Sequence, residues 1–258
     1  MKKLTLFLLA FVLIASACKK DEEEEETNSL NPTAAQNGFA INYTATWCGP
    51  CGNWGAPRIH KFAEDGPKGA VITAHASGDP MHVAALYSSF SSDRATGGGI
   101  PSFWAGDQSS AGDGAMLALV GSGDAKAGVD LSFEVSGTTM TVKTLTKFFS
   151  PDAGDYYLSV LVLEDGIDGS ATSGQYKQNG VANPDTYKHD FVLRASSVSG
   201  SAYGEKIVSN PSNDTEVSKD YSITLDASWN SPYAVAIIWR IDATGTPQYK
   251  YINAIKRK

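Results

Sequence analysis

Two cysteines stand two residues apart in Trp47-Cys48-Gly49-Pro50-Cys51, directly after the apolar run Phe39-Ala40-Ile41-Asn42-Tyr43 and before a stretch that reads as a helix. At a helix N-terminus, backbone N–H groups and the positive end of the dipole stabilise a thiolate on the first cysteine of such a pair. Cys48 is therefore the expected nucleophile. Cys51, one turn further in, is placed to attack a mixed disulfide on Cys48 and so to act as the resolving thiol. Gly49-Pro50 suits a first helical turn, where proline has no N–H to lose. The competing reading is a static disulfide. A metal site is not expected here, because zinc needs four ligands and the chain holds no second C-x-x-C; thiol chemistry of this kind calls for no cofactor.

Other residue types that could do chemistry are sparse. His75, Asp79 and His82 have a spacing that could be drawn as a metal site, but a strand end and a helix start need not bring them together, so ordinary polar positions are the expectation. His82 could still tune Cys48. His189 and Arg194, five apart in a strand pattern, should point to opposite faces. Trp47 and Trp104 flank the cysteine pair in sequence and could form an apolar platform for a protein substrate, whereas Trp229 and Trp239 read as core.

The pentapeptide resembles the active site of the thioredoxin superfamily, and Gly99-Ile100-Pro101-Ser102-Phe103 resembles that family's cis-proline segment. The resemblance implies that Cys48 and Cys51 are catalytic and that Trp47, Gly49, Pro50, Ile100 and Pro101 dock an extended protein substrate. One position departs. The family's buried carboxylate, five residues before the tryptophan, is replaced by Asn42, and an amide does no acid–base work.

These residues need elements to hold them. Phe39 to Ala45 reads as a buried parallel strand, and Cys51 to Ala63 as a helix that Pro57 should kink. Val71 to Ala76 is rich in β-branched residues and reads as a central strand. Val83, Leu86, Tyr87 and Phe90 space a second helix, Ser102 to Ala105 continues as a strand, and Ala115 to Val120 closes the unit. After Gly121-Ser122-Gly123-Asp124 the period changes from helical to two. Leu131 to Val135 and Thr139 to Leu145 form a hairpin around Gly137, and Tyr156 to Leu163 is apolar on both faces. Gly166 to Asp185 has no pattern of its own. Four further strands follow, at 191–193, 221–225, 233–241 and 249–255. The expected architecture is thus an α/β thioredoxin-like domain over 37–123, then an all-β antiparallel sandwich, Ig-like or jelly-roll-like, over 124–258.

The N-terminus reads as an address. Lys2-Lys3, an apolar run from Leu4 to Ile14 and the small residues Ala15-Ser16-Ala17 form a signal peptide over 1–17. Cys18 directly after it resembles the lipidation site of bacterial lipoproteins. Lys19 to Glu26, with five consecutive glutamates, and the polar segment after it form an acidic tether over 18–36. Its composition resembles an export signal to the outer face of the outer membrane, with the periplasmic face as the alternative. Loss of Lys2 and Lys3 would deepen the formal net charge of −7. An acidic chain without a clustered basic face argues against nucleic acid.

The downstream half, with Tyr187-Lys188-His189-Asp190-Phe191-Val192-Leu193-Arg194 and Ala234-Val235-Ala236-Ile237-Ile238, resembles the outer membrane protein 28 family of lipoproteins. Two functions stay open. The first is an envelope-anchored thiol–disulfide oxidoreductase acting on protein thiols and disulfides, supplied by a membrane electron donor. The second is a surface lipoprotein whose scaffold serves binding or envelope structure, with Cys48–Cys51 a permanent cross-link.

Overall fold

The computed structural model describes residues 29–258. The signal peptide, Cys18 and the tether as far as residue 28 lie outside the described residues.

Strands β1 (Phe39–Thr44) and β2 (Ala70–His75) pair in parallel and are buried along their whole length. Between them runs a π-helical turn, Cys51–Gly55, leading into α1 (Ala56–Asp65). Pro57 follows this turn directly, two residues into α1, within a helical run in which the Ala56 N–H bonds to the Cys51 carbonyl five residues back. Helix α2 (Ala84–Asp93) leads to β3 (Ser102–Ala105), antiparallel to β1, then the short β4 (Gln108–Ser109) and α3 (Ala115–Val120).

Strands β5 (Ala127–Ser136) and β6 (Thr139–Phe148) form the expected hairpin, turning at Gly137 with φ of +58°. Strand β7 (Asp155–Glu164) follows, then the short pair β8 (Ile167–Asp168) and β9 (Lys188–His189). Strands β10 (Val192–Ser196), β11 (Glu205–Ser209), β12 (Glu216–Thr224), β13 (Tyr233–Ile241) and β14 (Tyr249–Arg257) complete the chain.

The strands do not divide as the sequence suggested. A single nine-stranded mixed sheet runs β14-β13-β7-β10-β2-β1-β3-β4, with β11 beside β10 on the same edge of β7. The expectation of an α/β thioredoxin-like domain followed by a separate antiparallel sandwich is therefore overturned. Strands β1 to β4 are one end of a predominantly β structure whose remaining strands come from the downstream half. The cause lies at the free edge of β2, whose backbone groups need partners once both faces are buried. Thr73 supplies the junction: its N–H donates to the Phe191 carbonyl at 2.7 Å, its hydroxyl to the Asp190 carbonyl at 3.0 Å, and it pairs with Val192 of β10.

Alternation along the strands assigns the two faces. Phe39, Ile41 and Tyr43 of β1 share one face with Leu161 and Leu163 of β7 and Val235, Ile237 and Trp239 of β13, covered by Leu86 and Phe90 of α2. On the opposite face, α1 and α3 cover Ala40, Val71 and Phe103, while the three-stranded sheet β12-β6-β5 covers β7 and β13.

Arg94 joins the two halves. It is fully buried, paired with Asp93 at 2.9 Å and Asp107 at 2.8 Å, and donates to the Tyr249 carbonyl at 2.7 Å and the Tyr203 hydroxyl at 3.2 Å. Its guanidinium also lies 4.7 Å from the Trp239 ring, an arrangement that suits a planar, weakly hydrated cation.

Candidate functional site

Strand β1 ends at Thr44, and the turn after it delivers Cys48 to the start of the helical run. Cys48 and Cys51 form a disulfide with Cα atoms 5.2 Å apart. The Cys51 N–H points at Cys48 Sγ at 3.2 Å, the helix-terminal contact that favours a thiolate there. Cys48 is 6% exposed and Cys51 only 1%, so an attacking group reaches Cys48 first.

The Ile100–Pro101 bond is cis, and the Ile100 carbonyl lies 3.7 Å from Cys48 Sγ. The Pro101 ring packs so closely on the π turn that a Cβ at Gly55 would come within 3.0 Å of it. Gly97 and Gly98, both at positive φ, let the chain turn into this segment. Beside it runs a groove of about 590 Å³ lined by Pro50, Trp54, Arg58, Ile100, Pro101 and Phe103. Trp47 and Trp54 stand 51% and 43% exposed, and Arg58 stacks over Trp54 at 5.1 Å. Trp104, expected to share this platform, is instead buried, its indole N–H held by the Ala95 carbonyl at 2.9 Å.

The patternless loop of the downstream half proves to be a strap across the cysteine motif. The buried Gln178 amide nitrogen lies 3.2 Å from the Ala45 carbonyl, 3.3 Å from that of Thr46 and 3.2 Å from that of Cys48. The Asn179 N–H donates to the Thr46 carbonyl at 2.7 Å and its side chain to the Trp47 carbonyl at 3.0 Å. Close approach is obligatory here: a Cβ at Gly180, whose φ is +86°, would fall 1.9 Å from the Gly49 carbonyl oxygen. Asn179-Gly180 was a readable turn signal in the sequence; the segment it would touch was not.

Behind Cys51 lies a second polar layer. Asn42 is buried with its Oδ1 unpartnered. His75 and Asp79, read in the sequence as ordinary polar positions, are both buried and adjacent, with Nδ1 3.1 Å from Oδ1. The pair does not meet hydrogen-bond geometry, so the contact is a close approach of imidazole to carboxylate. Burial pushes the Asp79 carboxyl up, but His75 and the N–H groups of Thr46 at 2.5 Å and Met81 at 2.8 Å outweigh it and hold the carboxyl well below the usual range. His82 donates through Nδ1 to the His75 carbonyl at 2.6 Å and so supports the end of β2. The His189 ring meets His75 edge-on at 5.7 Å and donates to the Tyr176 carbonyl at the foot of the strap. Burial, reinforced by His75, lowers its pKa to about 4.

Neither a family model nor a curated protein matches the chain. Among solved structures, HBP35 of Porphyromonas gingivalis superposes with a TM-score of 0.69 over 88% of this chain and 76% of that one, at 19% identity. The chain shares its fold with HBP35. A domain of the outer membrane lipoprotein Omp28 from the same organism matches half of the chain and 89% of its own length at 14% identity, with a TM-score of 0.29.

Proposed function

We propose that the protein is a lipid-anchored protein of the bacterial outer membrane, tethered through Cys18, and that its scaffold serves binding or envelope structure with Cys48–Cys51 as a permanent cross-link. The observation that carries this reading is the strap: Gln178 and Asn179 engage the carbonyls of residues 45 to 48 and so hold the motif in its closed form. The address rests on Ala15-Ser16-Ala17-Cys18 and the acidic run after it, and no helix among the described residues is long and apolar enough to cross a membrane. The groove beside Trp54 and Pro101 is the natural place for a partner. The test is equilibration of the folded protein with dithiothreitol or glutathione buffers, followed by thiol trapping. A couple below about −300 mV is the expected outcome; a couple that exchanges readily at roughly −120 to −270 mV would overturn it.

A second reading, thiol–disulfide exchange with protein thiols, is favoured by one specific arrangement. The less buried sulfur, Cys48, faces Ile100 next to a cis proline at the lip of the groove. In that case Trp47, Gly49, Pro50, Ile100 and Pro101 would dock an extended substrate chain and a membrane electron donor would renew the dithiol.

A further inference from the structure

Beneath Cys51 lies a small, partly open polar cleft of about 20 Å³, lined among others by Asn42, Thr73, His75, Gln178 and His189. That is room for one water molecule, which needs roughly 10–15 Å³ and two to four polar partners. Two buried polar atoms on its lining residues, Asn42 Oδ1 and His75 Nδ1, have no hydrogen-bond partner within the protein. The cleft therefore connects the inner sulfur to a buried imidazole, and that imidazole is backed by a carboxylate that accepts two backbone N–H bonds.

We propose that His75, with the Asp79 carboxylate 3.1 Å from its Nδ1, is the proton carrier for Cys51. The inference rests on the second reading, that the Cys48–Cys51 bond opens. An external dithiol, as thiolate, attacks Cys48 Sγ; a new S–S bond forms as the old one breaks, and the electron pair leaves on Cys51. The His75 imidazolium passes its proton across the cavity to that thiolate. In the reverse direction Cys51 returns the proton to His75 as its sulfur attacks the mixed disulfide at Cys48 and expels the partner thiolate. Charge near Cys51 is thereby never stranded in a buried site, where an unpaired thiolate is costly. Asn42 cannot do this work, but it can orient the water. His189 walls the cavity and ties it to the strap through Tyr176. The groups that face His75 are Asp79 from the turn after β2, His82 from the next turn and His189 from β9; His60 of α1, Tyr187 and Asp190 complete the titratable lining of the cavity.

A carrier that is returned unchanged lowers a barrier and leaves the equilibrium alone. That separates it from a structural role. The experiment measures the rates of opening by dithiothreitol and of closing by oxidised glutathione from pH 5 to 9, with the equilibrium constant measured alongside. In His75→Gln both rates should fall about 10²-fold, within the usual range for a positioned acid or base, at an unchanged equilibrium constant. Asp79→Asn should move the pH limb of the profile. In the wild-type protein that limb should coincide with the His75 titration followed by NMR, a readout that survives if the variants do not fold. Unchanged rates in His75→Gln, a shift in the equilibrium constant equal to the shift in rate, or a limb that does not track His75 would each overturn the proposal while leaving thiol exchange standing. A wild-type disulfide that no dithiol opens in the folded state would overturn both.

Discussion

His189 offers a direct test of the electrostatics behind the disulfide. Its pKa is lowered from the ordinary 6.5 to about 4, chiefly by burial. Between those values the unfolded chain binds a proton that the folded one refuses, so stability is complete above pH 6.5 and is lost as the pH falls towards 4. The loss from this one group is about 3 kcal/mol. Urea midpoints measured at pH 7 and pH 4 should converge in His189→Gln, which keeps a donor for the Tyr176 carbonyl and has no charge to acquire. A wild-type protein equally stable at both values would refute the account. This sensitivity was not legible in the sequence. The sequence placed His189 and Arg194 on opposite faces of a strand without saying which one was buried; that follows only once β9 is seen to lie beside the end of β2. The same holds for Asp79, whose burial follows from two backbone N–H groups that no spacing rule announces.

At the scale of elements, the strap decides how freely the cysteine motif can be reached. Each of its hydrogen bonds contributes about 1 kcal/mol, so Gln178→Ala should speed reduction of the folded disulfide by dithiothreitol about tenfold, followed by thiol trapping over time. An unchanged rate would mean that the strap does not shield the pair. Gly180→Ala should act more severely, because its left-handed backbone and the 1.9 Å approach to the Gly49 oxygen leave no space for a methyl group. The β5–β6 hairpin, read from its period of two, turns at Gly137 as expected, and β3 and α3 match the expected Ser102–Ala105 and Ala115–Val120. The loop over 166–185 carries no period because it is built of short pieces, the β8 pairing at Ile167–Asp168 and a single helical turn at Ala171–Gly174, before Gln178 and Asn179 reach the cysteine motif.

For the whole molecule, the decisive question is which strands pair. Apolar patterning identified β2 and β7 as strands buried on both faces, yet it is silent on neighbours, and two separate sheets would have satisfied the same pattern. The sheet runs through β10 instead, and Arg94 locks the join. Replacing it with methionine should cost about 3–5 kcal/mol, as expected when one partner of a buried ion pair is removed. Chemical denaturation should show that loss in a single transition, because residues of both halves share one core around Phe39 and Trp239. Two transitions, with only one of them shifted, would show that the halves unfold independently.

The segment before β1 has a mechanical meaning. The Asn31 N–H is held by Asp130 at 3.0 Å, Ala35 bridges to Asp124, and the Asn37 N–H is held by Asn253 at 2.9 Å, with Asn253 reaching on to the carbonyls of Ala35 and Ala127. A pull transmitted along the N-terminal segment is therefore taken up in shear by β5 and β14, before it reaches β1 and the sulfur pair. If the proposed anchor at Cys18 moors that end, drag from the surroundings loads the junction between the two sheets and leaves the disulfide slack.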